Sequence, residues 1–190
     1  MKIIYLGWGS LLWNGIGLRL DSPWKKSNVK LPLNLSRISD NGKGRLTIVI
    51  DNKNGIPNNI WYAETEINNL DTAINILTER EKTITKNIGY INFNTNKKRS
   101  HNLTEKDQKQ LILRFKNKYD AVVWVDLESN WKKIRKVNFT VKNATKYINE
   151  IKKDTYLYSK SLEYIMFSYI FGQIKLPLTQ KIFTGKLFSY

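Results

Sequence analysis

The sequence contains no cysteine and a single histidine, His101. The first absence excludes disulfide scaffolds, zinc–thiolate sites and cysteine nucleophiles. The second excludes a multi-histidine metal centre within one chain, and no metal site is expected. A Ser-His-Asp triad would have to use His101, which sits in the polar run Lys97-Lys98-Arg99-Ser100-His101-Asn102, whereas a triad histidine has to be held by a structured neighbour. Long apolar runs are missing too. No stretch reaches the roughly 18 apolar residues of a membrane-spanning helix, and the aromatic segment Tyr164 to Phe171 reads as a short core helix. Met1-Lys2 followed by Ile3 to Trp13 resembles the start of a signal peptide. Gly7, Gly9 and Ser10 interrupt that apolar run, however, and no small-x-small cleavage site follows. The same residues read as a buried first strand ending in a glycine-rich turn. A cytoplasmic protein with no membrane partner is the expectation.

What is present is length, charge and a compositional bias. The 190 residues suffice for one domain that buries about two thirds of its unfolded surface without a covalent or metal staple. We take residues 1–190 as that domain, with 142–190 as a C-terminal helical and extended segment packed on it. Lys+Arg number 32 and Asp+Glu 16, a formal net charge of +16. Such a charge invites anionic partners. Yet Lys, Ile and Asn account for 25, 22 and 21 residues and Arg for only 7. That skew matches AT-rich codon usage at replaceable surface positions, and lysine lacks the bidentate fork that favours phosphate recognition. The densest basic patch is Trp131-Lys132-Lys133-Ile134-Arg135-Lys136. It reads either as a base-stacking platform or as a strand edge blunted by lysine. No helix carries a continuous basic stripe, and nucleic acid is not the expected partner.

Along the chain, Ile3 to Leu6 reads as a buried strand and Gly7-Trp8-Gly9-Ser10 as a turn, with residues 14–30 mostly loop. Leu31 to Ile38 and Arg45 to Asp51 read as a hairpin across the turn Asp40-Asn41-Gly42-Lys43-Gly44. Asn52 to Asn59 follows as a loop and Ile60 to Ala63 as a strand. Asn68 to Lys82 reads as a helix with Asn68 as N-cap and Asp71 as its box partner. Ile88 to Phe93 is a strand, Asn94 to Asn102 a polar loop, and Glu105 to Lys116 a short helix or charged connector. Ala121 to Val125 is the clearest buried strand. Lys142 to Lys152 and Tyr158 to Phe171 read as helices, and an extended tail runs from Gly172, capped by Pro177. The absence of regular βαβ alternation predicts an α+β mixed sheet, curled into a barrel, rather than a doubly wound one.

Two features carry chemistry. In the helix from Asn68 the apolar stripe is Leu70, Ala73, Ile74 and Leu77. Position 81 falls about 20° from both Leu70 and Ile74, and it holds Glu81 where a leucine would continue the stripe. Either the last turn frays and Glu81 reaches water, or the carboxylate stands at the lip of a cavity. In the second case desolvation raises its pKa and makes it a better proton acceptor near neutral pH. The other feature is Gly7-Trp8-Gly9-Ser10. It is neither a P-loop nor a Rossmann fingerprint. It is either a tight turn or a strand end whose backbone amides approach a carboxylate or oxyanion.

These features, with others in register, resemble the γ-glutamylcyclotransferase-like superfamily. That family opens with a strand running into a Tyr-Gly-Ser loop, matched here by Tyr5-Leu6-Gly7-Trp8-Gly9-Ser10-Leu11-Leu12-Trp13. A bacterial branch adds segments matched by Leu35-Ser36-Arg37-Ile38-Ser39, Gly44-Arg45-Leu46-Thr47-Ile48-Val49-Ile50-Asp51, Arg80-Glu81-Lys82-Thr83 and Ile88-Gly89. Asp120 to Trp124 and Glu163-Tyr164-Ile165 are similar as well. The resemblance implies a small mixed β-barrel flanked by helices, with the ligand at its mouth. It implies a cofactor-free reaction on a small γ-glutamyl molecule that forms 5-oxoproline, with Glu81 as general base. Trp8, Gly9, Ser10, Leu11, Arg37 and Arg80 are the substrate-binding positions implied. A member of the same fold that binds a small ligand or partner without chemistry is the alternative. Three positions depart from the family pattern: Lys82 replaces the usual glycine, Trp8 a tyrosine, and Leu11 the asparagine of glutathione-type enzymes. A lysine paired with Glu81 would lower the pKa of the base.

Overall fold

Two pentapeptides without a charged residue take the centre of the sheet. In the computed structural model, which describes residues 1–40 and 44–172, strands β1 (Ile3–Gly7) and β7 (Ala121–Val125) are buried at every position. They pair in parallel, with Ile3 opposite Ala121 and Tyr5 opposite Val123. A strand covered on both faces is expected to lack polar alternation. Its side chains still alternate in direction. Ile3, Tyr5 and Val123 enter one core, and Ile4, Leu6, Val122 and Trp124 enter the other.

The remaining strands extend this centre. β4 (Ile56–Glu64) runs antiparallel beside β1, followed by β2 (Lys25–Ile38) and β3 (Leu46–Ile50). Beyond β7 lie β5 (Ile88–Asn92) and β6 (Lys98–Arg99), so the order is β3-β2-β4-β1-β7-β5-β6. Helix α1 (Leu70–Arg80) closes the first core with Ala73, Ile74 and Leu77. The other core takes Leu111 and Phe115 from α2 (Glu105–Phe115) and Trp131 from α3 (Trp131–Arg135). It also takes Ala144 and Ile148 from α4 (Val141–Glu150), and Tyr164 and Ile165 from α5 (Thr155–Ile170). Thr104 and Asp107 form a reciprocal capping box that starts α2 as a true helix. Among the described residues no helix is long and apolar enough to cross a membrane.

The α+β class and mixed sheet match the expectation, but the closed barrel does not. Among the described residues the outer strands β3 and β6 do not pair, and the sheet is open. β6 is only two residues long, both cationic, and so offers little ladder for closure. β2 starts at Lys25 rather than Leu31, and β4 at Ile56 rather than Ile60. The N-cap of α1 is Asn69, whose side chain accepts the Thr72 N–H at 2.9 Å, one residue later than expected. Trp131 begins a short helix and is 1% exposed, so it cannot serve as a stacking platform for a base. The expected tail beyond Gly172 and turn residues 41–43 lie outside the described residues.

Several sequence motifs turn out to be architectural. Ser36 donates to Asp51 at 2.7 Å, and the same carboxylate accepts the Lys53 and Asn54 N–H groups, both at 3.0 Å. Burial alone would raise Asp51, but these donors outweigh it and hold the carboxyl below its ordinary range. Asp120 accepts the Lys2 N–H at 2.6 Å at the start of the β1–β7 pair. Gly89 sits opposite Trp124, and a Cβ there would lie 2.3 Å from the indole ring. The glycine is thus the floor on which Trp124 packs. We expect Gly89→Ala to cost about 2 kcal/mol through overpacking, which thermal unfolding should register as a Tm lower by about 4–8 °C for a chain of this size.

Candidate active site

Helix α1 is placed by its apolar stripe, and the stripe decides where the helix end goes. Tyr5 of β1 donates to the Ala73 carbonyl at 3.0 Å from within the shared core, tying the helix to the central strand. Glu81 follows as the C-cap residue, its side chain 19% exposed. It lines a cleft of about 1510 Å³ together with Trp8, Ser10, Leu11, Arg37 and Arg80. The carboxylate therefore lies at a cavity wall rather than on a frayed turn. Burial is the main influence on its titration and raises its pKa above the ordinary 4.5, opposed by the positive charges of Arg80 and Arg45.

Arg80 holds this arrangement together. Neighbouring residues on a helix point apart, but the helix ends here, and Arg80 Nη1 reaches Glu81 Oε1 at 2.6 Å. Its Nη2 donates to the carbonyls of Ser10, at 3.4 Å, and Asn14. Arg80 thus staples the loop after β1 to the end of α1. Its Nη1 and Nη2 donors thus go to protein groups. Arg37 Nη1 donates to the Glu128 carbonyl at 3.0 Å, and Nη2 faces Asp40 at 3.6 Å, so this guanidinium too has protein partners while lining the cleft.

The loop after β1 forms a 3₁₀ turn over Gly9–Leu11. Gly9 has φ +57°, and a Cβ there would fall 2.0 Å from the Tyr164 phenol oxygen. Glycine is required twice over, for the left-handed backbone and for the approach of Tyr164. It lies beneath that phenol rather than on the cleft wall. Tyr164 Oη accepts the Ile48 N–H at 3.2 Å. Burial pushes the Tyr164 phenol up to about 12, against the pull of the Ile48 N–H and Arg45. Arg45 sits 4.7 Å from the centroid of the Tyr164 ring. Tyr164 and Arg45 are among the cleft residues that sequence reasoning did not single out as functional. Each stood in a motif, but nothing local separates Tyr164 from the other aromatics of its helix. His101 lies elsewhere: its Nε2 is 3.0 Å from the Lys86 carbonyl. Among the described residues no cluster of three or more His, Asp or Glu side chains is arranged to hold a metal ion.

Lys82 stands where α1 ends in a left-handed residue. The Lys82 N–H bonds the Glu79 carbonyl at 3.0 Å, and the Thr83 N–H the Thr78 carbonyl at 3.1 Å. This is a Schellman termination, with Lys82 in the left-handed C′ position at φ +50°. The lysine occupies a conformation that disfavours a Cβ.

Compared with known proteins, the chain matches no protein-family model, no curated protein and no solved structure.

Relief of left-handed strain at C′, less the greater unfolded-state freedom of glycine, should make Lys82→Gly more stable by about 0.5–1 kcal/mol. Differential scanning calorimetry should show a Tm higher by about 1–4 °C.

Proposed function

We propose that the chain belongs to the γ-glutamylcyclotransferase-like superfamily, with its sheet left open between β3 and β6, and that it catalyses a cofactor-free cyclotransferase-type reaction. The supporting observation is Glu81, a carboxylate withdrawn from water at the cleft wall beside the loop after β1. The substrate is a small molecule bearing a γ-glutamyl amide. Its α-ammonium is not nucleophilic until it loses a proton, and Glu81 accepts that proton. The freed amine attacks the γ-carbonyl carbon of the same residue. The tetrahedral centre collapses and the bond to the leaving amine breaks; that amine takes the proton held by Glu81 and the second proton lost by the attacking nitrogen, and departs as an ammonium. The products are 5-oxoproline and the released amine or peptide. Closure of a five-membered ring gains from enforced proximity, which the cleft supplies by holding the chain folded.

Burial and the ion pair act on Glu81 in opposite directions. Arg80 stabilises the carboxylate form and weakens it as a base, while burial does the reverse and prevails. The pair with Arg80 favours a second reading, in which the same cleft binds a γ-glutamyl ligand without turnover. Release of 5-oxoproline distinguishes the two.

Purified protein should release 5-oxoproline from a γ-glutamyl amine or dipeptide, and Glu81→Gln should slow that release by about 10²–10⁴-fold. Release by the variant at the wild-type rate removes Glu81 from the mechanism. The pH profile gives an independent check. Only the ionised carboxylate accepts a proton, so kcat/KM rises with pH through the folded value of Glu81. Since that value is raised, the acidic limb should lie above 4.5; a limb at or below 4.5 contradicts the assignment.

A further inference from the structure

Most guanidinium and ammonium groups around the cleft are already committed to protein partners. Arg37 and Arg80 serve the carbonyls and carboxylates described above, and Lys160 pairs with Glu163 at 2.7 Å. Arg45 is different. It lines the same cleft, its charge lies over the Tyr164 ring, and it makes none of the ion pairs found among the described residues. Its buried Nε has no hydrogen-bond partner among those residues. A cation set against an aromatic face keeps both its charge and its planar fork. That fork matches a carboxylate better than any other side chain does.

Arg45 is also close enough to Glu81 for its charge to favour the ionised carboxylate. One cleft therefore presents a guanidinium and a carboxylate to the same volume. The head of an α-amino acid carries the complementary charges, an ammonium and a carboxylate separated by one carbon.

We propose that Arg45 binds the α-carboxylate of the ligand and, with Glu81 facing the α-ammonium, recognises a zwitterionic α-amino-acid head. This rests on the γ-glutamyl reading for the identity of the rest of the ligand. It makes Arg45 a specificity determinant: a γ-glutamyl amide whose α-carboxylate is blocked as a carboxamide fits the cleft but leaves the guanidinium without its anion.

The test compares two probes, γ-glutamyl anilide with a free α-carboxylate and the same anilide as its α-carboxamide. Binding is measured by calorimetry and 5-oxoproline release by chromatography, on wild type, Arg45→Met and Arg45→Lys. Circular dichroism and Tm confirm folding, and Arg45→Lys keeps the charge on Tyr164 if the methionine variant does not fold. Wild type should bind the carboxylate probe about 10–100-fold more tightly than the carboxamide. Arg45→Met should abolish that preference by weakening the carboxylate probe alone, and Arg45→Lys should retain only part of it. Equal affinity for both probes in wild type, an undiminished preference in Arg45→Met, or no binding of either probe overturns the proposal. Arg45-dependent binding without release of 5-oxoproline upholds it and instead overturns the cyclotransferase reading. Turnover by wild type with no response to Arg45 substitution does the reverse.

Discussion

Ala73, Ile74 and Leu77 bury against the parallel β1–β7 pair, and Tyr5 donates to the Ala73 carbonyl from inside the same interface. Burying a large aliphatic side chain contributes about 1.5–3 kcal/mol, so Ile74 and Leu77 hold α1 firmly in one rotational setting. The residue after the helix then has no choice of direction. About two turns beyond Ile74 and one beyond Leu77 the backbone still follows the helical phase, and Glu81 emerges over the loop that leaves β1. The position of the candidate base is thus a consequence of apolar packing several residues away. Arg80 completes the arrangement by joining that loop and the helix end through shared hydrogen bonds.

Around this frame the cleft concentrates polar groups in unusual surroundings. Tyr164 is in the core, yet its phenol oxygen receives the Ile48 N–H of one segment and lies against Gly9 of another. It joins the loop after β1, strand β3 and helix α5 at one atom. Gly9 makes room for that atom, which gives the glycine-rich turn a structural duty alongside any role toward a ligand. Lys82 carries a related tension. The Schellman geometry that ends α1 would suit glycine, and the chain tolerates lysine there because the helix packing and Arg80 determine where the termination falls.

The legible parts were those whose signal is local. β1 and β7 announced themselves because every residue is apolar or uncharged, and the position of Glu81 followed from helical phase alone. The first half of β2 was read as loop because Lys25, Lys26, Asn28 and Lys30 dominate it. Its buried side is carried by Ser27 and Val29, and pairing with β4 supplies what propensity does not. Barrel closure was expected from the family resemblance, but the two-residue β6 provides no edge long enough to complete it. Trp131, beside four cations, suggested a surface platform. Its indole instead enters the core, since the gain from burying a large aromatic exceeds any preference imposed by charged neighbours.

By itself the sequence determined the class of chemistry available. Without cysteine and with one histidine outside the cleft, carboxylate, guanidinium and backbone-amide groups remain, and helical periodicity put Glu81 on the buried face. Only the tertiary structure decided what surrounds that carboxylate. Arg80, 71 positions after Gly9 in the chain, clamps the loop beside it, and Tyr164 packs its phenol over Gly9 from a helix near the other end. Arg45 arrives from a third segment with its charge over the Tyr164 ring. Periodicity along one helix is a property of neighbouring residues and can be read from them. The meeting of three distant segments depends on which apolar surfaces are buried together, and no local pattern in any one of them records it.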